Sequence, residues 1–357
     1  MSDPVDPPFA GATRFTPHLP MPMDDADSFL SEPGPALVAD LACAEGDTLI
    51  LGAGGKMGLH TTLMLQRALH RAGRPGRVQA VSRFQSVHGR AEFESRGLEI
   101  LACDLCDSEA LRALPDAPNV IFMAGAKFGT GDRPELLRRM NEELPRQVAA
   151  RFPDSRFTVF STGCVYSLAS PESGGSTETD PTDPPGEYAR SCLAREEAFR
   201  QAARQRGTCS CLIRLNYAVE FRYGVLVDIA RKVQAGEPMD LSMGYVNVIW
   251  QRDAVEQILR CGAAATTEPC VMNIAGPEIL PVRELAEAFG RMFGKTPVFT
   301  GCEEPTAWLN DASKSHRLFG PPATELKRMM EWTAGWLLAE GRTFGKPTGF
   351  ENRNGRF

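Results

Sequence analysis

Residues 47 to 58, Asp-Thr-Leu-Ile-Leu-Gly-Ala-Gly-Gly-Lys-Met-Gly, carry a short apolar run into glycines at Gly52, Gly55 and Gly58 and then into a helical pattern. This is the feature that most restricts the fold. A strand, a tight glycine turn and a helix in that order make a phosphate-cradling turn of the kind that binds dinucleotides. Gly52 allows the turn, Gly55 lets backbone N–H groups approach a pyrophosphate, Gly58 lets helix and strand pack closely, and the helix N-terminus supplies the positive dipole end. A glycine fingerprint alone also occurs in ordinary turns. Here the required context is present, with Leu49 to Leu51 before it and Met57, Thr61, Met64, Leu65, Ala68 and Leu69 at helical spacing after it. Gly54, Lys56 and Met57 complete the candidate cofactor loop, with Lys56 meeting phosphate or solvent.

Strand-like and helical runs alternate beyond the loop. Strands are expected at 48–51, 77–82, 98–102, 118–123, 156–161 and 210–215, and helices at 56–72, 86–96, 107–113, 133–152 and 187–206. Such β-α repetition predicts an α/β fold, a Rossmann-type doubly wound parallel sheet with a smaller C-terminal substrate-binding portion. Three regions are expected: an arm and short helices over 1–45, a dinucleotide-binding domain over 46–216, and a mainly substrate-binding portion over 217–357, interleaved with that domain. Residues 1–23 are Pro-rich, and Pro33-Gly34-Pro35 interrupts the short helices after them. The polar stretch 167–186 is long for a connection and reads as a flap over a site.

Composition narrows the function classes. A net charge of -6 leaves no basic footprint for nucleic acid, and no apolar run of about 18 residues offers a membrane span. The ten cysteines lack the paired rhythm of a metal site, no metal is expected, and they read as reduced thiols of a cytoplasmic protein. The N-terminus lacks the basic-then-apolar order of a signal peptide.

The end of the second strand bears on the cofactor. Ser82-Arg83 stands where an acid would hold a ribose 2'-OH, and a small hydroxyl followed by Arg suits a 2'-phosphate. NADP is therefore expected in preference to NAD, although Arg83 also reads as a solvated strand-end residue. Asp104-Leu105, after the third strand, is placed to meet the adenine.

Residues 158–192 add the remaining motifs. The strand Thr158-Val159-Phe160-Ser161 runs into Thr162-Gly163-Cys164-Val165-Tyr166, and Glu187-Tyr188-Ala189-Arg190-Ser191-Cys192 opens a helix. With the glycines, the chain resembles the extended short-chain dehydrogenase/reductases, the NAD(P)-dependent epimerase/dehydratase group, over residues 47 to about 340. That group's corresponding stretches read roughly S-[ST]-x-x-V-Y and Y-x-x-x-K. The resemblance implies redox, epimerisation or dehydration at a secondary alcohol or carbonyl of a sugar-like or sugar-acid substrate. It assigns Tyr188 as general acid/base, Thr162 as the hydroxyl that orients the same oxygen, and Asn216 as a substrate amide, and it takes Ala124 and Gly125, after the fourth strand, past the cofactor ribose. A homodimer is a further expectation.

One departure stands out. The family lysine, which lowers the tyrosine pKa and binds the nicotinamide ribose, is Cys192 here, and each unit of pKa left unlowered is worth about 1.4 kcal/mol. Cys192 reads either as a small residue filling the lysine's space or as a nucleophile near a helix start. Lys127, after the fourth strand, reads either as a solvated loop lysine or as the replacement cation. Family members that act on nucleotide-diphosphate sugars often carry an Arg and a His where this chain has Val246 and Trp250, so a smaller substrate is expected, with Arg222 a candidate for its anion. Trp250 and Trp308 read as core or lid aromatics. The alternative is a cofactor-binding protein whose catalytic site has decayed, serving as a sensor or assembly partner.

Overall fold

The computed structural model describes residues 18–74, 76–127 and 133–355; most of the expected N-terminal arm lies outside them. Seven parallel strands form the central sheet: β1 (Thr48–Leu51), β2 (Val78–Ser82), β3 (Glu99–Ala102), β4 (Asn119–Phe122), β5 (Arg156–Thr162), β6 (Ser210–Leu215) and β7 (Cys270–Ile274). Their order is β7-β6-β5-β4-β1-β2-β3, and every pairing is parallel. The order reverses between β1 and β4, which opens a crevice at the carboxyl ends of those two strands. β7 comes from the C-terminal portion, so the sheet draws on residues beyond 216.

The strands are apolar almost throughout because both faces are covered. On one face Ile50, Ala80, Ile121 and Ile213 pack with Leu59, Leu63 and Met64 of helix α1 (Gly58–Arg71). On the other, Leu49, Leu51, Val120, Phe122 and Val159 pack with Phe199 of helix α2 (Glu187–Arg206). A third cluster belongs to the C-terminal portion, where Phe221, Trp250, Trp332 and Trp336 meet residues of helix α3 (Val225–Ala235) and of the helices Val282–Phe293 and Leu326–Leu338. The N-terminal helices Ala26–Leu30 and Pro35–Asp40 are docked rather than trailing: Leu30 and Leu37 are fully buried.

Two expected helices differ, each for a local reason. The run 86–96 is helical only over Arg90–Glu94. Residues before it wrap the glycine loop instead, with Ser86 Oγ donating to the Gly54 carbonyl at 2.5 Å and the Val87 and His88 N–H groups donating to it at 3.2 Å. The run 133–152 is helical at Pro134–Leu137 and Leu144–Arg151, but Arg138–Glu143 is a π-turn. Pro145 explains it, since proline has no N–H and its ring would clash with the Asn141 carbonyl in a regular helix.

Candidate functional site

The glycine loop fits a pyrophosphate because of what its neighbours forbid. Gly52 has φ +95°, and a Cβ there would stand 2.5 Å from the Ala124 nitrogen. A Cβ on Gly58 would stand 2.0 Å from the Ala53 carbonyl oxygen. Strand β1, the start of α1 and the segment after β4 therefore close on one another only with glycine at these points. No side chain caps the N-terminus of α1, which leaves its N–H groups to a ligand.

A cavity of about 530 Å³ lies over this crevice. Gly55, Lys56 and Met57 line one end, Gly125, Ala126 and Lys127 the floor, and Thr162 and Tyr188 the inner wall. Residues separated by more than a hundred positions are thus brought together by the sheet order. The cradle and the cavity suit the pyrophosphate and nicotinamide ends of a dinucleotide.

At the inner wall, Tyr188 stands on the first turn of α2 and Thr162 ends β5, with the Thr162 hydroxyl accepting the Cys164 N–H at 3.3 Å. Ser161 beside it donates to Glu196 Oε1 at 2.6 Å, and Glu196 in turn pairs with Arg214 at 2.8 Å, both buried. Burial raises the Glu196 carboxyl, but Arg214 and Ser161 outweigh it and hold the carboxylate below its usual range. The ion pair ties β6 to α2, and the Ser161 bond ties the end of β5 to it.

The charges around Tyr188 differ from the family pattern. Cys192 is fully buried and shares a hydrogen bond with the Tyr188 hydroxyl, and burial pushes its thiol up, which accords with a small residue filling the lysine's space. Lys127 is half-buried with its ammonium 5.5 Å from the Tyr188 ring centroid, within cation–π range. It faces the ring rather than solvent. Burial holds Lys127 below the ordinary lysine value.

Arg195, a further turn along the helix, is not among the residues expected at the site. It lies seven residues after Tyr188, and at 3.6 residues per turn positions i and i+7 share a face, so Arg195 follows Tyr188 into the cavity wall. Its Nη1 donates to the Phe160 carbonyl and its Nη2 to Asn141 Oδ1, each at 2.7 Å. A Cβ on Gly125 would meet that Nη2 at 2.2 Å, which is why glycine stands there. Burial raises the Tyr188 phenol well above its ordinary value, Cys192 adds to the rise, and Arg195 opposes it. Asn141, fully buried on the π-turn, also binds the Ala126 N–H and carbonyl and the Ser191 hydroxyl, and so ties the floor to α2.

At the other end, Ser82 Oγ would stand 2.6 Å from a Cβ on Gly54 and accepts the Phe84 N–H at 3.2 Å. Arg83 and Asp104 are exposed and lie 3.9 Å apart at the ends of β2 and β3, while Leu105 is buried. These residues sit beside the loop but do not line the cavity. Ala124 is buried beneath it.

Two expected substrate contacts are engaged elsewhere. Asn216 is buried, and its amide donates to Asn247 Oδ1 at 2.9 Å and to the Trp308 carbonyl at 3.2 Å. Arg222 pairs with Asp27 at 2.8 Å and Glu220 at 3.2 Å and lies near the buried His60, so its guanidinium is committed to carboxylates behind the wall. Neither lines the cavity. Val246 and Trp250 are fully buried in the C-terminal core. The outer wall comes instead from Tyr223, Gly224 and a returning C-terminal segment that carries Phe344, Lys346 and Thr348. Thr348 is pinned by 2.7 Å bonds from its N–H and hydroxyl to Asp228, and farther on Gly355 closes against Gly186 before α2.

A model of the NAD dependent epimerase/dehydratase family matches residues 48–266, more than half of the chain. Among solved structures, a double mutant of DesIV, a dTDP-glucose 4,6-dehydratase from Streptomyces venezuelae with NAD and DAU bound, superposes with a TM-score of 0.70 at 17% identity, covering 82% of this chain and 96% of that one. Pal from Bacillus thuringiensis gives 0.69 at 15% identity, covering 82% and 99%. UDP-glucuronic acid 4-epimerase from Bacillus cereus in complex with NAD gives 0.68 at 16% identity, covering 82% and 99%. At such identities the likeness concerns the fold. No curated protein matches the sequence.

Proposed function

The chain belongs to the NAD dependent epimerase/dehydratase family, and from that premise we propose that it uses NAD(P) for hydride transfer at a secondary alcohol or carbonyl of a sugar-like substrate, alone or as part of an epimerisation or dehydration. The observation that carries this reading is that Thr162 and Tyr188 meet the glycine loop across one cavity. When bound, the cofactor supplies the hydride acceptor or donor. Thr162 holds the substrate oxygen by a hydrogen bond, and Tyr188 takes a proton from that oxygen or returns it. Lys127 and Arg195 supply the positive potential that the family draws from one lysine, Arg195 from beneath Gly125 and Lys127 across the Tyr188 ring. The returning C-terminal segment narrows access of water to the reacting oxygen.

For the cofactor, this reading keeps the preference for NADP, because Arg83 is exposed at the end of β2 where a 2'-phosphate would lie. Replacing Arg83 with Ala is expected to weaken NADP binding by about 1–3 kcal/mol, the range for a charge-assisted contact, and to leave NAD binding nearly unchanged. Calorimetric titration of both cofactors measures this directly. Equal losses, or tighter binding of NAD by the unmodified protein, would remove the preference. The family assignment would stand either way. The expected homodimer belongs to the same reading and is checked by light scattering.

A further inference from the structure

The cavity's charge is lopsided. Among the described residues, its lining includes Lys56, Lys127, Arg195 and Lys346 but no Asp or Glu. Lys127 and Arg195 belong to the inner end around Tyr188. Lys56 stands on the glycine loop at the other end, and Lys346 has no role in the chemistry described so far. Lys56 leaves the glycine loop toward the outer wall, with its ammonium 3.7 Å from the centroid of the Tyr223 ring. Lys346 is exposed and is carried over the mouth by the C-terminal segment that Thr348 anchors to Asp228.

We propose that Lys56 and Lys346 form an anchor for the carboxylate of a small polyhydroxylated acid, an aldonate or uronate that carries no nucleotide. The inference rests on the proposed hydride-transfer function and names the substrate class for it. Two observations support it. The first is sign: the acidic groups near Lys56, Glu220 and Asp228, lie behind the wall, the one bound by Arg222 and the other by Thr348, so they leave the cavity itself to an incoming anion. The second is the want of a diphosphate clamp at the expected positions: Val246 and Trp250, which stand there, are apolar and fully buried in the C-terminal core.

The titration of Lys56 provides a signature independent of turnover. Burial, opposed by Glu220 and Asp228 and reinforced by the Lys127 charge, pulls its pKa down to about 7. The aromatic face of Tyr223 packs against the same ammonium. A carboxylate arriving beside Lys56 favours its charged form. Above that pKa, where free Lys56 is mostly neutral, binding an acid must therefore take up a proton, and the affinity for the acid must fall as pH rises.

The test is calorimetry on the full chain with NAD(P) bound, in two buffers of different ionisation enthalpy above pH ~7. The probes are gluconate against sorbitol and glucuronate against glucose. Expected is at least tenfold tighter binding of at least one acid than of its neutral partner, with proton uptake. Lys56→Met should abolish the uptake, and Lys346→Met should raise the Kd of the acid about tenfold or more with unchanged affinity for the cofactor. Any of four results would overturn the proposal: equal binding of acid and neutral partner, no binding by either acid, tighter binding of a uridine diphosphate sugar than of the free acids, or a loss in Lys346→Met that falls on the cofactor. An acid that binds with proton uptake but never reduces the bound nicotinamide sinks the hydride-transfer reading and leaves the anchor standing. Reduction by the neutral partners at undiminished efficiency does the opposite.

Discussion

Replacing Tyr188 with Phe is expected to lower turnover about 10²- to 10⁴-fold, the range for losing a positioned acid/base, with the fold intact because only a hydroxyl is removed. Single-turnover kinetics with circular dichroism as a control measures both. The pH dependence has a definite sign. Burial raises the Tyr188 phenol well above its ordinary value, so the phenolate needed to take a proton from an alcohol is scarce at neutral pH. Below the phenol pKa its fraction grows about tenfold per pH unit, and the alcohol-oxidising rate should climb with it. Carbonyl reduction, which uses the phenol as an acid, should stay flat over the same range. An oxidation rate independent of pH through this range would show that Tyr188 is not the base.

The second large effect concerns the absent lysine. Lys127→Ala is expected to cost orders of magnitude in the oxidising direction, because it removes a cation 5.5 Å from the Tyr188 ring centroid whose charge favours the phenolate. The pH–rate profile should move to higher pH. Introducing the family residue with Cys192→Lys should move the profile to lower pH and partly restore the Lys127→Ala variant, since the new ammonium would stand on the turn of α2 next to Tyr188. Near-full activity in Lys127→Ala would assign the role to Arg195 alone. Arg195 itself is a poorer target for mutagenesis, because its guanidinium also satisfies the Phe160 carbonyl and Asn141 Oδ1. Leaving such buried acceptors unpaired costs about 1–3 kcal/mol each.

The parts of the site legible in the sequence are those governed by short-range rules. Gly52 and Gly58 announce the turn because their neighbours leave no room for a Cβ, and the near-continuous apolar strands announce a parallel sheet covered on both faces. Tyr188 and Thr162 stood out through ordered motifs. Arg195 could have been found, since its i+7 relation to Tyr188 is a matter of helical period. Lys346 could not: it arrives on an irregular segment whose path is set by Thr348 and Asp228, more than a hundred residues apart. Arg222 and Asn216 misled for a related reason. Polar side chains after a strand look like ligand contacts until the fold brings Asp27, Asn247 and the Trp308 carbonyl to them. The π-turn at Asn141 was foreshadowed by Pro145, but its consequence, a side chain that ties the cavity floor to α2, depends on tertiary packing.

Deuterium tracing puts the central claim to its most direct test. The protein, loaded with oxidised NAD(P), is incubated with sugar acids, sugars and polyols deuterated at the carbinol carbon, and the mass of the nicotinamide is followed. A deuteron on the reduced nicotinamide with the unmodified chain, and its near absence with Tyr188→Phe, is the predicted result. Bound cofactor that never acquires deuterium from any of these alcohols would contradict it, and the chain would then be a dinucleotide-binding protein whose tyrosine no longer does chemistry.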